Sequence, residues 1–222
     1  MYKRQVPEGV SDWNYKPDEF QSVIDESVGL GSELHNVEKG DVILMGASKM
    51  TILEAIKSKP ASVNDYSIIM RWKAGGYSTL FTGDLGPSLG AKLAKKSSMK
   101  ADFYKAPHHG VTPIASELFA DMVNPVVTMV PTSKFLWHHP RSHVLQTWVN
   151  KNSDMVNCTN GENGTVRLVF ARSQVLIEAE RDSERCRSMT LAMTGKEVTD
   201  VVFDKDLRLP AALQVLLLDD EG

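Results

Sequence analysis

Cysteine is nearly absent: Cys158 and Cys186 are the only two in 222 residues. That excludes a disulfide-stapled scaffold, and the lack of CxxC spacing excludes a zinc knuckle or a dithiol redox motif, so both are expected to be reduced thiols. Equally missing is any run of the roughly 18 to 20 apolar residues that a membrane-spanning helix needs. The opening "MYKRQVPEGVSDWNY" carries Lys3 and Arg4 but no apolar stretch behind them, so no signal peptide is visible and the cytoplasm is the expected compartment. An excess of one charge is also lacking. With 25 Lys and Arg against 28 Asp and Glu, the net charge of -3 removes a global drive toward nucleic acid but leaves room for a local basic patch. What remains, 42% hydrophobic and 24% charged, is an ordinary soluble composition, long enough for one large domain with an appendage.

Residues 1–36 read as a lead-in with one helix in "PDEFQSVIDESV", where Pro17 suits a first turn and the acidic residues favour the positive end of the helix dipole. From "VEKGDVILM" onward the pattern changes to short β-rich runs. The clearest hairpin pairs "SIIMRW" with "STLFTG" around Gly75 and Gly76, which can take the positive φ of a tight turn. Beyond Asp84, helical and strand-like segments alternate: "PSLGAKLAKKSS", "ADFYKAP", "PIASELFADMV", "PVVTMVPT" and "RSHVLQTWVNKN", followed by a hairpin-like "VNCTNGENGTVRLVF" and "QVLIEAE". Alternation of this kind indicates layered α/β architecture with helices outside a sheet. Residues 182–222 form a C-terminal extension, charged at first and ending in "LPAALQVLLL", whose leucines suit a helix docked on the body or on a partner.

Chemistry-bearing residues collect at the exits of the expected strands. Asp84 closes "TLFTGD"; His108 and His109 follow "DFYKAP", between Pro107 and Gly110; His138 and His139 precede Pro140. Each alone is bland, since a Gly-Asp pair usually marks a turn or cap. Together they are less so, because five of the six histidines lie between 108 and 143 and strand-to-helix loops of a layered α/β fold open on one edge. Carboxylate and imidazole are ligands for Zn²⁺ and also for Mn²⁺ or Fe²⁺. Lys105, Lys134 and Arg141 flank the same loops and could hold a phosphate, Arg141 by a bidentate fork. Lys92, Lys95, Lys96 and Lys100 read as a solvated helix face, and His143 as a surface residue.

The order "VEKGDVILMGASKMTILEAI", "VNDYSIIMRWKAGGYSTLFTGD", "MKADFYKAPHHG", "VNPVVTMVPTSKFLWHHPRSHVLQTW" and "CTNGENGTVRLVF" resembles the C-terminal part of metallo-β-lactamase-fold hydrolases. It is closest to the subgroup that includes the hydrolase domain of ComEC-type DNA-uptake proteins. The resemblance implies an αβ/βα sandwich spanning residues 37–181, one or two metal ions at the sheet edge, and hydrolysis of esters or phosphodiesters. By position, Asp84 is similar to the family's metal-bridging aspartate, His108 to a metal-binding histidine of the rim, and His139 to the late histidine that contacts metal or substrate. His109, Lys105 and Arg141 would then contact substrate. The family's HxHxDH motif has no counterpart, because the only histidine before His108 is His35. A truncated chain, completed by a missing N-terminal half or a partner subunit, is therefore the expectation, with a large apolar sheet face left bare. The leading function is a metal-dependent hydrolase of phosphodiester or nucleic-acid substrates. A non-catalytic interaction module with a vestigial site stands against it, and a lactonase or β-lactamase is the third option.

Overall fold

The computed structural model describes residues 17–56, 62–152, 155–171, 174–194, 197–202 and 215–216. After helix α1 (Pro17–Gly29), four strands run as an antiparallel meander: β1 (Val42–Met45), β2 (Ser48–Glu54), β3 (Ile69–Ala74) and β4 (Tyr77–Phe81). The expected β3–β4 hairpin turns on Gly75 and Gly76, with φ of 58° and 92°. Then the chain alternates: α2 (Pro87–Leu93), β5 (Phe103–Lys105), α3 (Glu117–Val123), β6 (Val127–Val130), α4 (Lys134–Trp137), α5 (His143–Lys151) and β7 (Val156–Thr159). β4, β5, β6 and β7 pair in parallel, which the intervening helices permit, so one mixed sheet runs in chain order from β1 to β7.

A second sheet follows the short helix α6 (Asn160–Asn163). It contains β8 (Val166–Ala171), β9 (Gln174–Ala179), β10 (Met189–Thr194), β11 (Glu197–Val202) and β12 (Val215–Leu216), in the order β11-β10-β9-β8-β12. The expectation that "VNCTNGENGTVRLVF" makes a hairpin is overturned: β7 and β8 belong to different sheets. The buried Asn163 is the physical reason. Its Oδ1 accepts from the Thr159 amide at 3.0 Å, while its Nδ2 donates to Arg181 O at 3.0 Å, Ser183 Oγ at 3.0 Å and Cys186 O at 3.1 Å, winding "NGEN" into a helical turn. The chain beyond residue 181 runs on into this second sheet. Of the leucine-rich tail, only Val215 and Leu216 are described, and they form a strand beside β8; the rest lies outside the described residues.

Alternation along each strand divides the side chains between two cores. Tyr104 on β5, Leu80 on β4 and Val130 on β6 face Leu89, Leu93, Phe119, Val123 and Trp148 of the helices. Their neighbours Phe103, Tyr77 and Met129 face Leu168, Phe170, Val175 and Ile177 of the second sheet. Phe170 stands at the centre of that inter-sheet core, with Phe103, Trp72 and Tyr77 at ring-centroid distances of 5.0, 5.3 and 5.8 Å. Helices, large sheet and small sheet form three successive layers, so the layered α/β expectation holds. The second sheet covers much of the face expected to be bare; the exposed apolar side chains of the large sheet are Val42, Leu44 and Met45 on its edge strand β1. No helix among the described residues is long and apolar enough to cross a membrane.

The cysteines are not free thiols, contrary to expectation. Cys158 on β7 and Cys186 ahead of β10 form a disulfide, with Cα atoms 5.0 Å apart. They meet because the Asn157 amide donates to Arg185 O at 3.0 Å and Asn163 grips the 181–186 segment, contacts that no local spacing announces.

At the end of β2, Lys39 and Lys96 reach Glu54 at 2.9 and 3.1 Å. Burial pushes the Glu54 carboxyl up, but the two ammonium groups outweigh it and hold it below the usual carboxylate range. A depressed carboxylate stabilises the fold above its unfolded pKa, and that contribution is lost as pH falls through the folded value. Glu54→Gln is therefore predicted to cost about 0.5 to 1 kcal/mol near neutrality, and the gap to the parent chain should close in acid; chemical denaturation at both pH values measures it.

Candidate active-site rim

Because β4 to β7 are parallel, their C-terminal ends share one edge, and that is where every candidate residue falls. Asp84 lies three residues beyond β4, His108 and His109 three and four beyond β5, His138 and His139 beyond β6 across α4, and α6 follows β7.

The Asp84 turn is held from the side by residues that carry no sequence signature. Ser67 Oγ accepts from the Asp84 amide at 2.8 Å, and the buried Asp65 accepts from the Gly86 amide at 3.1 Å. Gly83 adopts φ 51°, and a Cβ there would come within 2.7 Å of Ser67 Oγ, so the turn requires glycine.

His108 and His109 both adopt left-handed backbone, with φ of 48° and 54°. Non-glycine residues hold this conformation at a cost of order 1 kcal/mol or more each, a strain that gathers where side chains must be aimed. The aim is fixed by hydrogen bonds. His108 Nδ1 lies 3.0 Å from Pro113 O, and His109 Nδ1 lies 2.8 Å from Pro131 O. A carbonyl only accepts, so Nδ1 bears the hydrogen in each neutral ring and Nε2 presents its lone pair, the arrangement of metal-ligating imidazoles. His139 is set the opposite way. Its Nδ1 accepts from the Arg141 amide at 3.2 Å, so the neutral ring carries hydrogen on Nε2 and offers a donor, suited to an anionic oxygen rather than to a metal.

Backbone carbonyls stitch the four loops together in order. Gly83 O accepts from the His108 amide and from Lys105 Nζ, both at 3.1 Å, joining the first loop to the second. The second joins the third through His109 and through Thr112 O, which accepts Arg141 Nη2 at 2.6 Å and Nε at 3.1 Å. That engagement takes up two N–H groups of the fork expected to hold phosphate. The third joins the fourth through the Gly161 amide on Thr132 O at 2.8 Å and through His138 Nε2 with Glu162 Oε1 at 3.2 Å. Among the other predicted surface groups, Lys96 pairs with Glu54, while Lys92, Lys95, Lys100 and His143 are exposed.

No protein-family model matches the chain. It is 30% identical over 142 residues to ComE operon protein 3 of Bacillus subtilis, covering 63% of this chain and 18% of that protein. The ComEC-type resemblance is borne out. The chain thus spans less than a fifth of this ComEC-type relative. Two solved structures are similar in part: YhfI of Bacillus subtilis, a metallo-β-lactamase fold protein, at 12% identity, TM-score 0.41, covering 70% of this chain and 62% of that one; and a Thermotoga maritima protein assigned to the metallo-β-lactamase superfamily, at 17% identity, TM-score 0.30, covering 48% and 54%.

The metal that the family resemblance implies meets a test in the donor set. Among the described residues, no group of three or more His, Cys, Asp or Glu side chains could hold a metal ion. A catalytic zinc site ordinarily takes three protein ligands, and the two expected from the sequence, Asp84 and His108, fall short of that number. The described residues do not fit a complete site.

Proposed function

We propose that the rim is one side of a phosphodiester hydrolase site, with nucleic acid as the substrate class. The carrying observation is the opposed setting of the histidines: His108 and His109 present Nε2 lone pairs, while His139 presents an N–H donor on the same edge. In this reading Asp84 and His108 are ligands contributed toward Zn²⁺, alternatively Mn²⁺ or Fe²⁺, and the remaining ligands come from outside the described residues. His139 and Lys105 meet the anionic oxygens of the substrate, where donors fixed in advance, His139 by the Arg141 amide and Lys105 by Gly83 O, stabilise developing negative charge without reorganising. His109 stands beside the ligand histidine, and Arg141 serves chiefly as a strut between loops. What supports the substrate class is the similarity to ComE operon protein 3 and the cationic groups along the rim. The disulfide favours an oxidising compartment over the cytoplasm as the working environment.

Calorimetric titration of Zn²⁺ into the metal-free chain tests the ligand roles. The expected result is weak binding, micromolar or weaker, abolished by Asp84→Ala or His108→Ala. His139→Ala should leave Zn²⁺ binding alone but weaken bis(p-nitrophenyl) phosphate about tenfold, the loss of one charge-assisted hydrogen bond. Zn²⁺ binding unchanged in both ligand variants sinks the reading. The incomplete donor set favours a second one, a non-catalytic module that holds phosphodiesters without cleaving them. Binding of bis(p-nitrophenyl) phosphate with no turnover under Zn²⁺, Mn²⁺ or Fe²⁺ selects it.

A further inference from the structure

The rim does not end at His139. Beyond it, where β7 forms the edge of the large sheet, a cleft of about 660 Å³ opens between α5 and the 181–185 segment. That volume lies in the range of small-molecule sites. His138, Glu162, Lys134, Arg185 and Asn157 of β7 are among the residues that line it.

Asn157 is the telling residue. It is 4% exposed, and its Oδ1 is buried with no hydrogen-bond partner. A buried amide oxygen left unpaired costs about 1 to 3 kcal/mol, and such groups call for a partner. The burial is built rather than accidental: the Cys158–Cys186 disulfide on one side and the Asn157 amide on Arg185 O on the other fix this strand against the 181–185 segment. Two cationic groups line the same cleft. Lys134 makes no ion pair among the described residues, and Arg185 is anchored by Nη1 to Val149 O at 3.1 Å and by Nη2 to Asn150 Oδ1 at 3.4 Å. Of the acidic groups, Glu162 is paired with His138, Asp182 accepts from the Ser188 amide at 3.1 Å, and Glu184 is exposed.

We infer that this cleft binds a nucleotide of the substrate strand next to the bond held at the rim, with Asn157 hydrogen-bonding the base and Lys134 and Arg185 holding its phosphate. A side-chain amide satisfies the donor edge of a base, and separated cations match a phosphodiester backbone. The inference rests on the phosphodiester reading of the rim and adds to it a second, metal-independent contact.

The test is fluorescence anisotropy of a short fluorescein-labelled single-stranded oligothymidylate with the whole chain in EDTA. Asn157→Leu is expected to weaken binding roughly three- to tenfold while leaving Tm equal or higher, since it removes no hydrogen bond of the folded chain. Lys134→Ala should weaken binding and reduce the salt slope by about one. Asn157→Leu should not alter bis(p-nitrophenyl) phosphate affinity, because that small diester does not reach the cleft. Oligothymidylate bound equally by the parent chain and both variants overturns the cleft and leaves the rim reading standing. Failure of the parent chain to bind oligothymidylate in EDTA overturns the cleft, while the rim reading is decided separately by the Zn²⁺ titration. A collapse of Tm in Asn157→Leu, with Lys134→Ala inert, assigns Asn157 a structural role and overturns the inference.

Discussion

Gly161→Ala is expected to cost more than about 3 kcal/mol and to lower Tm by roughly 6 to 12 °C, an effect out of proportion to one methyl group. Gly161 lies in α6, after the last parallel strand, with its amide on Thr132 O at 2.8 Å. A Cβ there would fall inside the contact radius of the Lys134 amide nitrogen and the Ser133 carbonyl carbon, both backbone atoms of the neighbouring loop. A flexible side chain could swing aside; a backbone held by the Ser133 hydroxyl cap on the Leu136 amide cannot do so cheaply. The loop must therefore move with the helix it starts, carrying His138 away from Glu162 and displacing His139. Two readouts should fall together: thermal stability by circular dichroism, and bis(p-nitrophenyl) phosphate affinity through His139. Gly29→Ala is the control, since nothing lies within 4 Å of its added carbon, and it should stay within about 0.5 kcal/mol of the parent. Gly161→Ala unfolding within a degree of the parent would mean that the two loops are not in contact.

The rim was legible in sequence because each candidate followed a run of strand-forming residues, and parallel strands put all their exits on one edge. "TLFTGD" and "DFYKAPHHG" needed no tertiary knowledge to be placed there. What was not legible depends on single polar residues acting across long separations. Ser67 and Asp65 hold the Asp84 turn from 17 and 21 residues away, with nothing in "NDYS" to mark them. "NGENG" has the composition of a hairpin turn, and only the burial of Asn163 among carbonyls of the 181–186 segment converts it into a helical turn between two sheets. The settings of the histidine rings were likewise beyond sequence, because the Nδ1 partners, a carbonyl for His108 and an amide N–H for His139, come only from the folded chain. Nothing in the sequence singles out Asn157. Its unpaired oxygen is a property of packing alone.

Reduction of the Cys158–Cys186 disulfide is expected to destabilise the chain by about 3.5 kcal/mol, the loop-closure entropy of a link across 28 residues, lowering Tm by roughly 7 to 14 °C. The two sulfurs lie in the inter-sheet core, 2% and 0% exposed, so replacing them by alanine would add a packing loss to the loss of the cross-link. Reductant separates the two effects, because it opens the bond and keeps both sulfur atoms. The reduced parent chain should unfold between the oxidised parent and Cys158→Ala/Cys186→Ala, and the double variant should ignore reductant. The consequence extends to the rim's far end. The disulfide and the Asn157 amide on Arg185 O together hold the 181–185 wall against β7, so a reduced chain should also bind oligothymidylate more weakly while its affinity for bis(p-nitrophenyl) phosphate, set by the carbonyl-stitched loops before β7, stays the same. Identical melting curves with and without reductant, with both thiols already reactive in denaturant, would show that the cysteines are unpaired and that Asn163 alone closes the segment.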